Sequence, residues 1–482
     1  MKFHQLFTDN AVFQQNINEY PFRGFAPAGS LVKIQFRGNE AVATANEQGE
    51  WKVFLPSGKA GTGFELKASC GDQIITAQNI AVGEVWVVSG QSNAEFPLKN
   101  FKDGAEWAKD AAYPQIRFQT QTWQPSHMRK DDPWQILDGN TAVNFSAAGF
   151  FFAKELHKKQ QIPVGVIVSA GSGSVINKWV PEEALAELPL AQERLIKPLQ
   201  KAREKYQVDL KKYEDELEQR KKLSKEEIEK LPKLQKPYYP FQSYSGLFKE
   251  RVERLAGLPV KGLIWYQGEA DAMFAGGFVY REYLEALIKS YRKHFNNDNL
   301  PFLVVEIPYY GHHMIWSDLR DSQKFVADKL KNVHLVSILD IGDEKDIHPP
   351  RKAELGERLM KTADCFVYGN KAVATGPVYD SMSIEGNCII LRFKPESIGE
   401  GICSSDGEPL RGFTVADKKG KFFDADAVIK DNTVIVSSPR VAEPTAVRYG
   451  WYPPQKGVNF FNKAGFPGGM FRTDNFRLPT QP

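Results

Sequence analysis

The chain has 482 residues, 42% hydrophobic and 25% charged, an ordinary globular balance that excludes a disordered, fibrous or collagen-like chain. Its 62 basic and 59 acidic residues leave a net charge of +3, which gives no electrostatic reason to expect a nucleic-acid or anionic-membrane partner. At roughly 150 residues per domain, the length suits two to four domains, or one core with large insertions.

The opening Met1-Lys2-Phe3-His4-Gln5 lacks the long apolar stretch of a secretory signal. The expectation is a cytoplasmic chain, or a periplasmic or secreted one whose signal has been removed. No apolar run approaches the ~20 residues that cross a bilayer, so no membrane insertion is expected. Residues 1–80 read as a β domain: Leu31–Phe36, Trp51–Leu55 and Gln73–Thr76 are short apolar-rich runs separated by turn residues. Val32, Ile34 and Phe36 alternate with Lys33 and Gln35, the period of a half-buried strand.

Residues 81–365 change character. Continuous apolar runs (Val85–Val88, Val164–Val168, Leu263–Tyr266, Phe302–Ile307 and Val333–Leu339) alternate with helical stretches such as Ala147–Lys159 and Tyr280–His294. Apolar strands alternating with helices predict an α/β domain whose parallel sheet is covered on both faces. In such sheets ligands bind beyond the carboxyl ends of the strands.

Residues 186–236 interrupt this pattern. Nearly two residues in three between Lys201 and Lys230 are charged, and Tyr206, Leu210, Tyr213 and Leu217 form a helical apolar stripe. Ser224 with Glu227 reads as a capping box opening a second, short helix. The expectation is an inserted helical hairpin with a solvated face. Residues 366–482 return to β signals at Asn387–Phe393, Gly412–Val415 and Val434–Val436, and read as a C-terminal β domain. The cysteines, Cys70, Cys365, Cys388 and Cys403, are scattered and read as free thiols.

The chemistry is concentrated after the apolar runs. Val85–Val88 leads into Ser89-Gly90-Gln91-Ser92-Asn93, where a tight turn would expose a serine hydroxyl and aim backbone N–H groups at a developing oxyanion. A serine nucleophile needs a base. Among eight histidines, only His348 follows a late apolar strand with a carboxylate, Asp346, two positions before it. His157 and His294 close helices, where a dipole-complementing role suits them. His312 and His313 are adjacent and do not converge as metal ligands do, so no metal and no cofactor are expected. Gln267-Gly268-Glu269-Ala270-Asp271 offers an oxyanion donor or a second acid. The loop Ser169–Ser174 lacks the lysine and spacing of a nucleotide-binding loop.

These residues carry a resemblance. GQSN at Gly90–Asn93, WYQGEAD at Trp265–Asp271 and DIHP at Asp346–Pro349 resemble the sialate O-acetylesterase family of SGNH hydrolases. Leu6–Asn16, Phe145–Leu156, Pro163–Trp179, Leu319–Gln323, Ala446–Trp451 and Asn462–Pro467 are also similar to that family, so the likeness covers nearly the whole chain. It implies an SGNH-type, flavodoxin-like three-layer α/β/α domain with a parallel sheet, flanked by β-sandwich or jelly-roll-like modules. It implies Ser92 as nucleophile and His348 as general base. Gly173 and the Ser92 backbone N–H become oxyanion donors, with Gln267 where many SGNH enzymes use asparagine. Asp346 is the first choice of orienting acid, and Glu269 is its rival. Ala94 and Ser172-Gly173-Ser174 depart from the methionine and the Gly-Gly-Thr common in the family.

The expected partner is an acetylated carbohydrate, with Asn93, Arg320 and Trp179 as substrate contacts. Arg320 would clamp a sialate carboxylate, and Trp179 and Trp265 would stack sugar rings. The implied reaction is removal of O-acetyl groups from sialic acid. Deacetylation of xylan or another polysaccharide is the alternative enzyme, and a non-catalytic carbohydrate-binding protein is the alternative of another class.

Overall fold

A strand of 18 residues, Gln73–Gly90, runs through two layers of the molecule. Its first half pairs antiparallel with Gly61–Cys70, and its second half lies at the centre of a parallel sheet. The runs Gln73–Thr76 and Val85–Val88, expected as separate strands, are therefore one strand with no proline between them to break it. A computed structural model describes residues 1–121, 133–240, 244–274, 276–311, 315–452 and 457–482. His127, His312 and His313 lie outside these residues.

The main sheet runs in the order Gln135–Asp138, Ala112–Thr120, Val164–Ala170, Gln73–Gly90, Gly262–Tyr266, Phe302–Glu306, Val333–Ser337. Only the first pairing in that order is antiparallel. Alternate side chains enter opposite faces, as the pleat requires. Val85 and Val87 pack on one side with Leu284 and Ile288 of helix Tyr280–His294 and Leu319 of helix Ile315–Lys329. Trp86 and Val88 pack on the other with Phe152 of helix Ala147–Gln160 and Leu359 of helix Lys352–Phe366. Helix Tyr280–His294 buries Tyr280, Tyr283, Leu284, Leu287, Ile288 and Tyr291, one stripe at helical spacing. The result is a mixed α/β molecule with several sheets.

Ser146 caps helix Ala147–Gln160: its Oγ accepts from Gly149 N at 3.1 Å and donates to Ala94 O at 2.7 Å. The cap thus ties this helix to the turn that carries Ser92.

The charged insertion is a 24-residue helix, Lys197–Arg220. The capping box at Ser224 and Glu227 is present, and the helix it opens, Lys225–Glu229, is short, as expected. The returning arm is irregular rather than helical, because Pro232, Pro237 and Pro240 remove backbone donors. It is held by Tyr239 edge-on against Tyr206, ring centroids 5.0 Å apart.

The C-terminal region forms two antiparallel four-stranded sheets and a two-stranded pair, separate from the N-terminal strands. Its core includes Tyr309 and Leu339 from the α/β region, so it packs against the end of the sheet where the reactive loops emerge. All four cysteines are free and half-buried.

Candidate active site

Strand Gln73–Gly90 ends at Gly90, whose φ of 138° lies in the region that favours glycine. A Cβ there would also collide with the Tyr266 carbonyl of the neighbouring strand. This turn sets Ser92 at the start of the one-turn helix Ser92–Glu95. Ser92 is 6% exposed.

His348 reaches Ser92 from a loop that follows Leu339–Ile341. Its Nε2 lies 2.9 Å from Ser92 Oγ. For Nε2 to accept the serine proton, Nδ1 must carry the ring proton. Asp346 Oδ1 lies 3.6 Å from that Nδ1 and accepts the His348 backbone N–H at 2.8 Å. Asp343 Oδ1 accepts from Lys345 N and Asp346 N, which shapes the turn. The Phe96 ring packs on the imidazole with centroids 4.5 Å apart. Burial holds the imidazole below its ordinary range. Asp346 opposes this and the charge of Lys352 adds to it. The ring is neutral at neutral pH, as a base must be.

Glu269, the rival acid, stands elsewhere. It is buried, and its Oε1 accepts from Asn93 Nδ2 at 2.6 Å. Asn93 is also buried, so it is an internal connector rather than a substrate contact. Its Nδ2 donates to Ile347 O at 3.0 Å, and its Oδ1 accepts from Lys352 Nζ at 2.7 Å. The sequence reading missed Lys352. The available signal was a lysine opening a helix, where the helix dipole disfavours a cation.

Gln267 does not serve as an oxyanion donor in this geometry. It is fully buried, and its Nε2 faces Asp271 Oδ2 at 2.6 Å, Ser174 O at 3.0 Å and Gln91 Oε1 at 3.2 Å. The amide's two hydrogens are taken up inside the protein. Asp271 Oδ2 also accepts from Ile176 N, and burial pushes this carboxyl up to about 7. Gln267 and Asp271 thereby join the loop that follows Val164–Ala170 to the one that follows Gly262–Tyr266.

Gly173 has φ 66° and sits exposed in the loop that follows Val164–Ala170. The neighbouring Ser172 donates both N–H and Oγ to Glu95 Oε2, at 2.7 and 2.5 Å, which fastens this loop to the helix carrying Ser92. A cavity of about 440 Å³ beside it is lined by Glu95, Ser172, Ser174, Lys178, Leu247 and Arg251.

The other expected substrate contacts are interior. Trp179 and Trp265 are fully buried and meet edge to face at 5.9 Å, and Trp179 Nε1 donates to Ser174 Oγ. Neither ring presents a face to a sugar. Arg320 is buried, and its Nη2 donates to Gly450 O and Trp451 O, so it fastens the C-terminal region instead of facing solvent. His294 is drawn inward as well: its Nε2 lies 2.9 Å from Val252 O, and burial lowers its affinity for a proton. Among the described residues, no group of three or more His, Cys, Asp or Glu side chains is arranged to hold a metal ion.

The model of the family described as "Carbohydrate esterase, sialic acid-specific acetylesterase" matches residues 82–219 and 230–364. Sialate O-acetylesterase from Rattus norvegicus is 24% identical over 397 residues, covering 72% of this chain and 70% of the relative. The Homo sapiens sialate O-acetylesterase is 22% identical over 410 residues, covering 75% and 70%. The crystal structure of a carbohydrate acetylesterase from Xanthomonas citri superposes with a TM-score of 0.81 at 29% identity, covering 98% of this chain and all of that one. Matched over more than half its length by the family model, the chain belongs to the sialic acid-specific acetylesterase family of carbohydrate esterases and is a carboxylic ester hydrolase.

Proposed function

We propose that the protein is a serine esterase that removes O-acetyl groups from carbohydrates, acetylated sialic acid first among them, through an acyl-enzyme. The observation that carries this reading is the 2.9 Å contact between His348 Nε2 and Ser92 Oγ at the carboxyl end of the central strand. His348 takes the Ser92 proton as the hydroxyl oxygen attacks the acetyl carbonyl. The backbone N–H groups of Ser92 and Gly173 hold the oxyanion, each contributing about 2.7–4 kcal/mol of barrier lowering. The imidazolium then protonates the departing sugar oxygen, and water cleaves the acetyl-serine by the same route in reverse. Asp346 is the orienting acid, and its contact to Nδ1 favours it over Glu269.

In this reading residues 81–365 form the SGNH-type catalytic unit. Residues 1–80 and 366–482 are accessory β units, and residues 186–236 are an insertion. A second substrate reading draws on the burial of Arg320. Without that guanidinium as a carboxylate clamp, a neutral acetylated polysaccharide such as acetylxylan fits the same chemistry. Acetate release from O-acetylated sialic acid and from acetylated xylan, measured side by side, tests the proposal. Faster release from the sialic acid supports the first reading, and release from xylan alone replaces it with the second.

A further inference from the structure

Beneath the reactive serine lie a buried cation and a buried carboxyl with an amide between them. Lys352 is 1% exposed, and its Nζ donates to Asn93 Oδ1 at 2.7 Å. The rings of Tyr266 and Phe101 lie 5.0 and 5.4 Å from the ammonium. Across the amide, Asn93 Nδ2 donates to Glu269 Oε1 and to Ile347 O. An ammonium is donor-only and a carboxylate acceptor-only, so together they fix which end of the amide faces which neighbour. With Oδ1 committed to Lys352, Nδ2 is aimed at Ile347 O. Asn93 follows Ser92 in the chain, and Ile347 precedes His348. One amide therefore ties the backbone of the serine to the backbone of the histidine.

We propose that Lys352 is a positioning residue for the esterase reaction. Acting through Asn93, it holds the Ser92 turn in register with the His348 loop. The proposal rests on the serine-esterase reading above. A reactive pair built from loops 256 residues apart needs such a tie, because a displacement of about 1 Å costs on the order of 10²-fold in rate. The same lysine acts on the imidazole electrostatically. Among the described residues two charged groups face His348: Asp346 on its own loop raises its proton affinity, and Lys352 lowers it. Phe96 packs on the ring without charge. Among the described residues the charged groups facing Lys352 are Glu269 and Asp346. Burial brings the ammonium down to about 7, so it remains charged over the acidic range in which His348 titrates.

The test compares wild type, Lys352→Met, Lys352→Arg and Ser92→Ala on p-nitrophenyl acetate across the acid limb of the pH profile. Lys352→Met is expected to lower kcat at least about tenfold with KM nearly unchanged. It is also expected to move the acid limb of kcat/KM to higher pH. Lys352→Arg keeps charge and donors and is expected to return the limb toward wild type. A role limited to fold stability would move neither limb nor kcat in the folded variant. Should Lys352→Met not fold, Lys352→Gln, which keeps a donor for Asn93 but no charge, carries the same expectation for the limb. A folded neutral variant with wild-type kcat and an unmoved limb overturns this proposal alone. An active Ser92→Ala variant overturns the serine reading and this proposal with it.

Discussion

The imidazole Nε2 of His348 lies 2.9 Å from the hydroxyl of Ser92, although the two residues are 256 positions apart in the chain. A nucleophile loses nearly all its reactivity when its oxygen is removed. Ser92→Ala should therefore lower hydrolysis of p-nitrophenyl acetate at least about 10³-fold. The hydroxyl's hydrogen bond is to His348, so the thermal midpoint should fall by no more than a few degrees. Steady-state kinetics and a melting curve on the same preparation check both statements.

The pH profile follows from the environment of His348. Burial is the largest influence and disfavours the imidazolium, so the ring stays neutral to a pH below the ordinary 6.5. A general base works only when neutral. The acid limb of kcat/KM should accordingly have its midpoint below 6.5. A midpoint at or above that value would contradict this account of the base.

Asp346 and Glu269 separate by the same readout. Asp346 raises the proton affinity of His348, and its side chain is 57% exposed, so its effect is moderated by solvent. Asp346→Asn should lower kcat about tenfold and move the acid limb to still lower pH. Glu269 bonds Asn93 rather than the imidazole, so Glu269→Gln should not move the limb downward. A downward shift in the Glu269 variant and none in the Asp346 variant would reverse the assignment.

Arg320 yields a stability prediction. Its guanidinium is buried and bonds the carbonyls of Gly450 and Trp451, at the junction with the C-terminal region. Arg320→Ala leaves those buried acceptors without this donor and should cost about 2–4 kcal/mol in urea unfolding. The KM for O-acetylated sialic acid, which carries the carboxylate an arginine would clamp, should be unaffected in the folded variant. An unchanged stability with a raised KM would return Arg320 to the substrate site.

Much of this molecule was legible because its signals are local. The run Val85–Val88 before a glycine turn placed Ser92 at a strand end, and a histidine two residues beyond an aspartate marked the loop that meets it. The capping box at Ser224 formed as read, since its partners lie three residues apart. The failures share a different cause. Nothing near Arg320 in sequence shows that its acceptors lie 130 residues away, and nothing near Trp179 shows that Trp265 covers it. An aromatic or cationic residue beside a reactive block looks the same in sequence whether it faces solvent or the core. Gln267 was misread for a related reason: the acceptors that occupy its amide include Ser174 O, 93 residues away, on a loop that only the fold brings near. Lys352 escaped notice because the hydrogen bond from its ammonium to Asn93 spans 259 residues.

The central claim is that Ser92 carries the acetyl group during turnover. Rapid-quench mass spectrometry of the wild-type protein mixed with p-nitrophenyl acetate, followed by peptide mapping, tests it most directly. The account predicts a transient single acetyl adduct on the peptide containing Ser92, formed with a burst of nitrophenol and absent from Ser92→Ala. Turnover with no adduct on that peptide, or with an acetyl group on another side chain that decays at the turnover rate, would contradict it.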